Sequence, residues 1–183
     1  MNQLSDKEII EKVLKGNHEL YGVIIDRYEK PVAATIKGLL GDCPEAEEVG
    51  QDTFIRCFES LAKFRGEATL KTYLIRIALN LSLNEIKRKK RMLSRLSRLD
   101  DVNNLVIEGL EDKVHERNEI RDLINKAMEK LDFRQRSVLV LRIIEGYSTA
   151  ETAKILKIPI GTVLSRLSRA QENMKKILSS DRY

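Results

Sequence analysis

Arg76, Asn80, Asn84 and Lys87 follow one another at steps of four, four and three residues. That spacing sets all four on one face of a helix. Asn is a mediocre helix former, so two of them on a stretch otherwise rich in Leu and Ile need a reason beyond helix formation. Amide groups present donors and acceptors suited to base edges, above all on unpaired bases. Arg76 and the run Lys87, Arg88, Lys89, Lys90 and Arg91 supply cations for phosphates. A second set, Thr162, Ser165, Arg166 and Arg169, repeats the theme, with Lys175 and Lys176 further along. Hydroxyls near a helix start, followed by arginines, suit a helix that enters the major groove. Either set alone also fits a solvated helix face. The first gains weight from its continuity with the basic run, the second from the turn that precedes it.

No other chemistry competes with these stripes. His18 and His115 are isolated, and no Gly-rich phosphate loop or nucleophile–base pair appears. Cys43 and Cys57 have no third Cys or nearby His to complete a metal site and read as thiols in a reducing compartment. Neither a cofactor nor a metal is expected, and the chain is not expected to be an enzyme. The opening "MNQLSDKEII" is charged from residue 6 and predicts no secretory leader. Lys71, Arg76 and Glu85 interrupt the apolar stretch 70–86, so it is not expected to enter a membrane. The 183 residues carry a net charge of +5, and clustered cations point to an anionic partner.

The elements that must position the stripes are helical. With 9 Gly, 3 Pro and 5% aromatic residues, the chain has little turn punctuation for a β-rich fold. Ser5 and Glu8 form a capping box for a first helix with Ile9, Ile10, Val13 and Leu14 on its apolar side and Gly16 at its end. A second helix is predicted from about Glu19 through a kink at Pro31 to Leu40. A third starts near Pro44 and carries Val49, Thr53, Phe54, Phe58 and Leu61 at helical spacing. "KFRGEATLKT" breaks the pattern before a helix over about 70–91, with Leu70, Leu74, Ile77, Ala78 and Leu81 buried. Residues 87–98, "KRKKRMLSRLSR", hold seven basic residues and no acid, and 100–116 turn acidic. That shift reads as a linker. The expected architecture is all-α: a helical domain over 1–91, a linker over 92–117 and a second helical domain over 118–183.

In the second domain, Ile120, Leu123, Ile124, Ala127, Met128 and Leu131 make one helix face, and "RQRSVLVLRIIEG" a second, nearly apolar helix. "GYSTAETAKILKIPIGTVLSRLSRAQENMKKIL" then splits into two. Ser148 and Glu151 form a capping box, and Ala150, Ala153, Ile155 and Leu156 supply small and apolar positions. Pro159 bars continuation. From about Thr162 a further helix buries Val163, Leu167, Ala170, Met174 and Ile177. The pattern is a helix-turn-helix.

These stretches resemble the sigma-70 superfamily, specifically the compact extracytoplasmic-function (ECF) sigma factors of bacterial RNA polymerase. "AEEVGQDTFIRCFESLAKFRGEATLKTYLIRIALNLSLNEIKRKKR" is similar to region two of that family. "MEKLDFRQRSVLVLRIIEGYSTAETAKILKIPIGTVLSRLSRAQENM" is similar to region four. The resemblance covers nearly the whole chain. It implies a cytoplasmic transcription initiation factor that binds core RNA polymerase and promoter DNA and that an anti-sigma protein commonly holds inactive. Gln51, Asp52 and Phe54 would face the polymerase. The loop "KFRGEATLKT" with Arg76, Asn80, Asn84, Lys87 and Arg88 would engage and open the −10 element. Ser148, Thr149, Thr162, Ser165, Arg166 and Arg169 would read the −35 element as duplex.

Three positions depart from the family pattern. Tyr73 stands where Trp is usual, and can stack on a base or pack in the core. Asn84 stands where Asp is usual. Leu164 stands where a basic residue is usual, leaving it to meet a thymine methyl or to shield the interface. Two rival functions are an operator-binding regulator that works without polymerase, and a recombinase with a C-terminal helix-turn-helix. The second basic stripe disfavours the first, and a helical first domain without a nucleophile disfavours the second.

Overall fold

The computed structural model describes residues 4–99 and 116–180, with side chains described up to 95 and again from 122. Eight α-helices make up the described chain: α1 (Asp6–Leu14), α2 (Tyr21–Leu40), α3 (Pro44–Ser60), α4 (Leu70–Leu99), α5 (Glu116–Lys130), α6 (Phe133–Leu139), α7 (Thr149–Leu156) and α8 (Ile160–Ser180). No strand occurs among the described residues.

Local signals set most of the helix ends. Ser5 and Ser148 each accept the backbone N–H of the glutamate three residues on, and each glutamate reaches back to the serine's own N–H at 2.8 Å. Pro44 occupies the first turn of α3, where a missing N–H costs nothing. Pro31 lies inside α2, which runs on without a break.

Serine bonding holds the Glu8 and Glu151 carboxyls below their ordinary pKa. A carboxylate with a depressed folded-state pKa stabilises above its unfolded value and loses that contribution as pH falls through the folded one. Acidification below about pH 4.5 should therefore fray α1 and α7 first. The protection of amides in the first turn of α7 against exchange, relative to their intrinsic rates, should fall there, and in Glu151→Gln that protection should stay flat with pH.

Two boundaries differ from the sequence expectation. Helix α4 continues past Arg91 to Leu99, because Lys, Arg, Met and Leu are good helix formers and nothing in "KRKKRMLSRL" stops them. The apolar helix expected from 135 onward begins as α6 and then widens into a π-helical turn over Val140–Ile144. The Glu145 N–H reaches the Val140 carbonyl there at 2.9 Å, and Tyr147 reaches Leu141 at the same distance.

Helices α2, α3 and α4 pack on one another around Ile24, Ile36, Leu39, Leu61, Leu74 and Ile75, all at most 1% exposed. Helix α1 lies against this group through Ile9, Ile10 and Val13, while Leu14 points to solvent. The second group, α5 to α8, buries Ala127, Val138, Val163 and Ala170 completely.

The two groups share one continuous core. Leu39 and Leu40 at the end of α2 join the same cluster as Leu139, Val140, Leu141, Tyr147 and Ile155. Gly38 allows this approach: a Cβ there would lie 3.0 Å from both Val140 methyls. Arg136, 7% exposed, bridges the groups by donating to the Leu39 carbonyl at 2.6 Å and to the Leu131 and Glu129 carbonyls. The described halves therefore pack together, where the sequence alone suggests two bodies on a linker.

Candidate nucleic-acid interface

Helix α4 has a wide buried side. Leu70, Leu74, Ala78 and Leu81 are buried as their spacing requires, and Ile75, Leu79 and Ser82 join them. Ile77 is only half-buried. Opposite them Asn80, Asn84, Lys87 and Arg88 are all exposed. Two cations of the run already have carboxylate partners. Arg88 grips Glu85 with both ends of its fork, at 2.8 and 2.9 Å, and Lys89 meets Glu45 at 3.1 Å. Glu45's own N–H, with Lys89 and Cys43, holds the Glu45 carboxyl down to about 2.

Arg76 does not sit in the open as Asn80 does. Its Nε donates to the Ile155 carbonyl at 3.2 Å and a terminal nitrogen donates to the Lys154 carbonyl at 2.7 Å. These are last-turn carbonyls of α7, where the helix dipole favours a cation. Five residues before it, the Lys71 ammonium lies 4.8 Å from the centre of the Tyr147 ring. The end of the helix-turn-helix's first helix thus covers part of the stripe that the sequence spacing defines.

The loop before α4 forms a small cavity of about 290 Å³ lined by Lys63, Phe64, Arg65, Gly66, Glu67, Ala68, Tyr73 and Arg76. Gly66 adopts a φ of +72°, which favours glycine. Tyr73 donates to the Ser60 hydroxyl at 2.7 Å and its ring lies 5.1 Å from that of Phe64. It therefore serves as a fixed wall, half-buried, with a polar tip already bonded. Lys63 and Arg65, with two aromatic rings around one opening, suit a single-stranded base and its phosphate, while Arg76 at the rim is held by the α7 carbonyls.

In the helix-turn-helix, Lys157 closes α7 with a left-handed φ of +54° and α8 begins at Ile160, ahead of the expected start at Thr162. Val163 and Ala170 are fully buried, with Leu167, Met174 and Ile177 half-buried. Ser165 and Arg169 are exposed, while Thr162 and Arg166 are half-buried along one edge. Ser148 is exposed with its oxygen engaged in the cap, and Thr149 is half-buried. Ala150 faces solvent, and Thr152 takes the buried place beside Ala153.

Of the three residues expected to face polymerase, Gln51 and Phe54 line a groove of about 870 Å³ between α2 and α3, together with Ile25, Val32, Ile55 and Phe58. Asp52 is exposed on the same helix and does not line it. Phe54 is only 8% exposed, and its carbonyl accepts the Tyr21 hydroxyl at 2.8 Å. Ile55 and Phe58 are the open apolar walls, at 54% and 38% exposure. Helical periodicity passes over Ile55 because it falls off the buried face of α3. An isoleucine in that exposed position is itself the sequence signal that points to an apolar groove wall.

Among the described residues no group of three His, Cys, Asp or Glu side chains could hold a metal ion. Burial raises both the Cys43 and the Cys57 thiol pKa. No described helix is long and apolar enough to cross a membrane.

Residues 24–92 match the family Sigma-70 region 2, and residues 121–174 match Sigma-70, region 4. Both helical groups thus fall within one class of protein. The ECF RNA polymerase sigma factor SigW of Bacillus subtilis is 32% identical over 94% of this chain and 96% of its own length. The ECF RNA polymerase sigma-E factor of Escherichia coli is 30% identical over 93% of this chain and 92% of its own. The RNA polymerase sigma-H factor of Pseudomonas aeruginosa is 28% identical over 97% and 96%. The chain belongs to the ECF sigma factors of the sigma-70 superfamily, which are transcription initiation factors and not enzymes.

Solved structures share the fold. CnrH in complex with the cytosolic domain of CnrY matches with a TM-score of 0.67 at 23% identity, over 96% of this chain and 98% of CnrH. The sigma factor RpoE of Bartonella quintana, in complex with the anti-sigma factor NepR, matches at 0.66 and 22% identity, over 88% and 98%.

Proposed function

We propose that this sigma factor docks on core RNA polymerase through the α2–α3 groove, opens the −10 element with the loop 63–72 and the exposed face of α4, and reads the −35 element with α8. One observation carries the reading: a single chain presents two separate nucleic-acid faces. One is an amide-and-cation stripe beside an aromatic cavity, the other a hydroxyl-and-arginine recognition helix. Residues 1–91 would form the −10 and polymerase domain, 92–117 the linker and 118–183 the −35 domain. The first domain's helix α4 runs on beyond that limit. Lys and Arg would supply salt-dependent affinity for phosphates, and Asn, Ser and Arg the choice of sequence. Stacking a splayed base on Phe64 or Tyr73 would offset part of the cost of melting.

Such a protein works in the cytoplasm and opens before it works. Two elements centred about 25 base pairs apart lie about 85 Å apart along a duplex, at about 3.4 Å per pair. A compact chain of this length is about 40 Å across. Reading both elements therefore means separating α4 from α7, which returns the Arg76 guanidinium from the α7 carbonyls to the −10 side. An anti-sigma protein is the natural inhibitor, and both solved neighbours are complexes with a second protein; the one bound to the Bartonella quintana factor is named an anti-sigma factor.

Run-off transcription with purified core polymerase on fragmented genomic DNA tests the proposal. New start sites that need the protein, and that align upstream on two shared elements, are expected. Tight duplex binding by the protein alone, without new transcripts, would establish the operator-binding regulator instead. For the docking groove, Ile55→Asp should weaken core binding at least tenfold, as loss of a central apolar contact does, while the thermal midpoint stays near that of the unaltered chain. Phe54→Ala should chiefly destabilise the fold, by about 3 kcal/mol. Undiminished core binding by Ile55→Asp would move the docking surface elsewhere.

A further inference from the structure

Ile160 and Leu164 are each 53% exposed. They lie four residues apart on the first two turns of α8, so they share one edge of that helix. Thr162 and Arg166, also four apart, run along the other edge. Ser165 and Arg169 are exposed between the two edges, opposite buried Val163 and Ala170. The start of the recognition helix is therefore divided lengthwise into an apolar edge and a polar one.

The first turns of such a helix reach the base edges. In the major groove the thymine C5-methyl is the distinctive apolar group; the other edges present donors and acceptors. A leucine placed against a guanine or cytosine edge would strip water from polar groups and return no hydrogen bond. Placed against a thymine methyl, it buries apolar surface on both sides. Ser165 donates to the Thr162 carbonyl at 3.2 Å, so its oxygen is left to accept. It therefore suits an amino group such as adenine N6. An apolar contact beside an acceptor is what an A·T pair asks for.

We infer that the Ile160–Leu164 edge makes this protein select for thymine methyls in its −35 element, with Leu164 as the principal contact. The inference rests on the assignment of α8 as the −35 reader, and the test separates the two.

A promoter located by run-off transcription is remade with single deoxyuridines in place of each −35 thymine, which removes only the methyl. Transcription is measured with core polymerase and either the unaltered chain, Leu164→Ala or Ile160→Ala. The unaltered chain should lose about three- to fivefold at one thymine or at two adjacent ones, the worth of a buried methyl. Leu164→Ala should show no response at the principal position. Ala is a strong helix former and Leu164 is exposed, so the variant keeps its fold. Deoxyuridine without effect anywhere, or a −35 element lacking A·T pairs, would overturn the inference. So would a response that persists in both variants, or lost polymerase binding by Leu164→Ala without any change in methyl response. A promoter indifferent to scrambling the whole −35 element would overturn the assignment of α8 itself.

Discussion

Arg136→Met is expected to lower the unfolding free energy by about 3 kcal/mol, the cost of orphaning buried acceptors at about 1–3 kcal/mol each. The guanidinium is 7% exposed and donates to the carbonyls of Leu39, Leu131 and Glu129. Leu39 lies in the last turn of α2, and Glu129 in the last turn of α5. Helix C-termini leave carbonyls without partners and carry the negative end of the dipole. A planar fork with five donors can satisfy several at once, where an ammonium is a single point. Burial lowers the Arg136 pKa, while nearby Glu129 and Asp132 oppose the shift, and the group stays charged at any ordinary pH.

Arg136→Lys should recover only part of the loss, because the charge remains but the fork does not. Urea unfolding followed by circular dichroism measures both. Because the bond to Leu39 joins the two helical groups, the Met variant should also expose the Gly38–Val140 contact to faster amide exchange. An unchanged urea midpoint in Arg136→Met would mean that water replaces the guanidinium without cost.

Arg169→Ala should reduce transcription from a −35-dependent promoter by about five- to 150-fold, the span expected when a bidentate arginine–guanine contact worth about 1–3 kcal/mol is lost. Arg169 is exposed one turn beyond Ser165, on the centre line of the recognition face. Core binding should be unaffected if the proposed docking groove is right, since the α2–α3 groove lies on the other helical group. The salt dependence separates two roles for this side chain. A phosphate clamp would weaken every promoter alike and lower the salt slope by about one unit. A base contact would relax one position of the −35 element and leave the slope nearly unchanged. Equal loss of core binding and of −35 use would mean that the substitution unfolds the second group.

Signals that act over three or four residues are legible in the sequence itself. The two Ser–Glu capping boxes, Pro44 at a helix start, the buried faces of α4 and α8 and the helix-turn-helix all depend on groups that meet within a turn or two. Their geometry is the same wherever the helix is placed. The stripe Asn80–Asn84–Lys87 belongs here too, because a helix with one wide apolar side can leave only the other to solvent.

Tertiary structure decided the rest, because those outcomes depend on what a residue meets from far along the chain. Arg76 shares the periodicity of Asn80, yet α7 carbonyls nearly eighty residues away take its guanidinium. Nothing in "RQRSVLVL" singles out Arg136, and only the meeting of the α2 and α5 C-termini makes it a buried bridge. Phe54 and Ile55 are neighbours in sequence, but the packing of α2 on α3 turns one into core and leaves the other as a wall of the groove. A helical period states which side of a helix is buried. It carries no information about which distant backbone supplies the burial, and that distant backbone is what holds Arg76 and Arg136 in place.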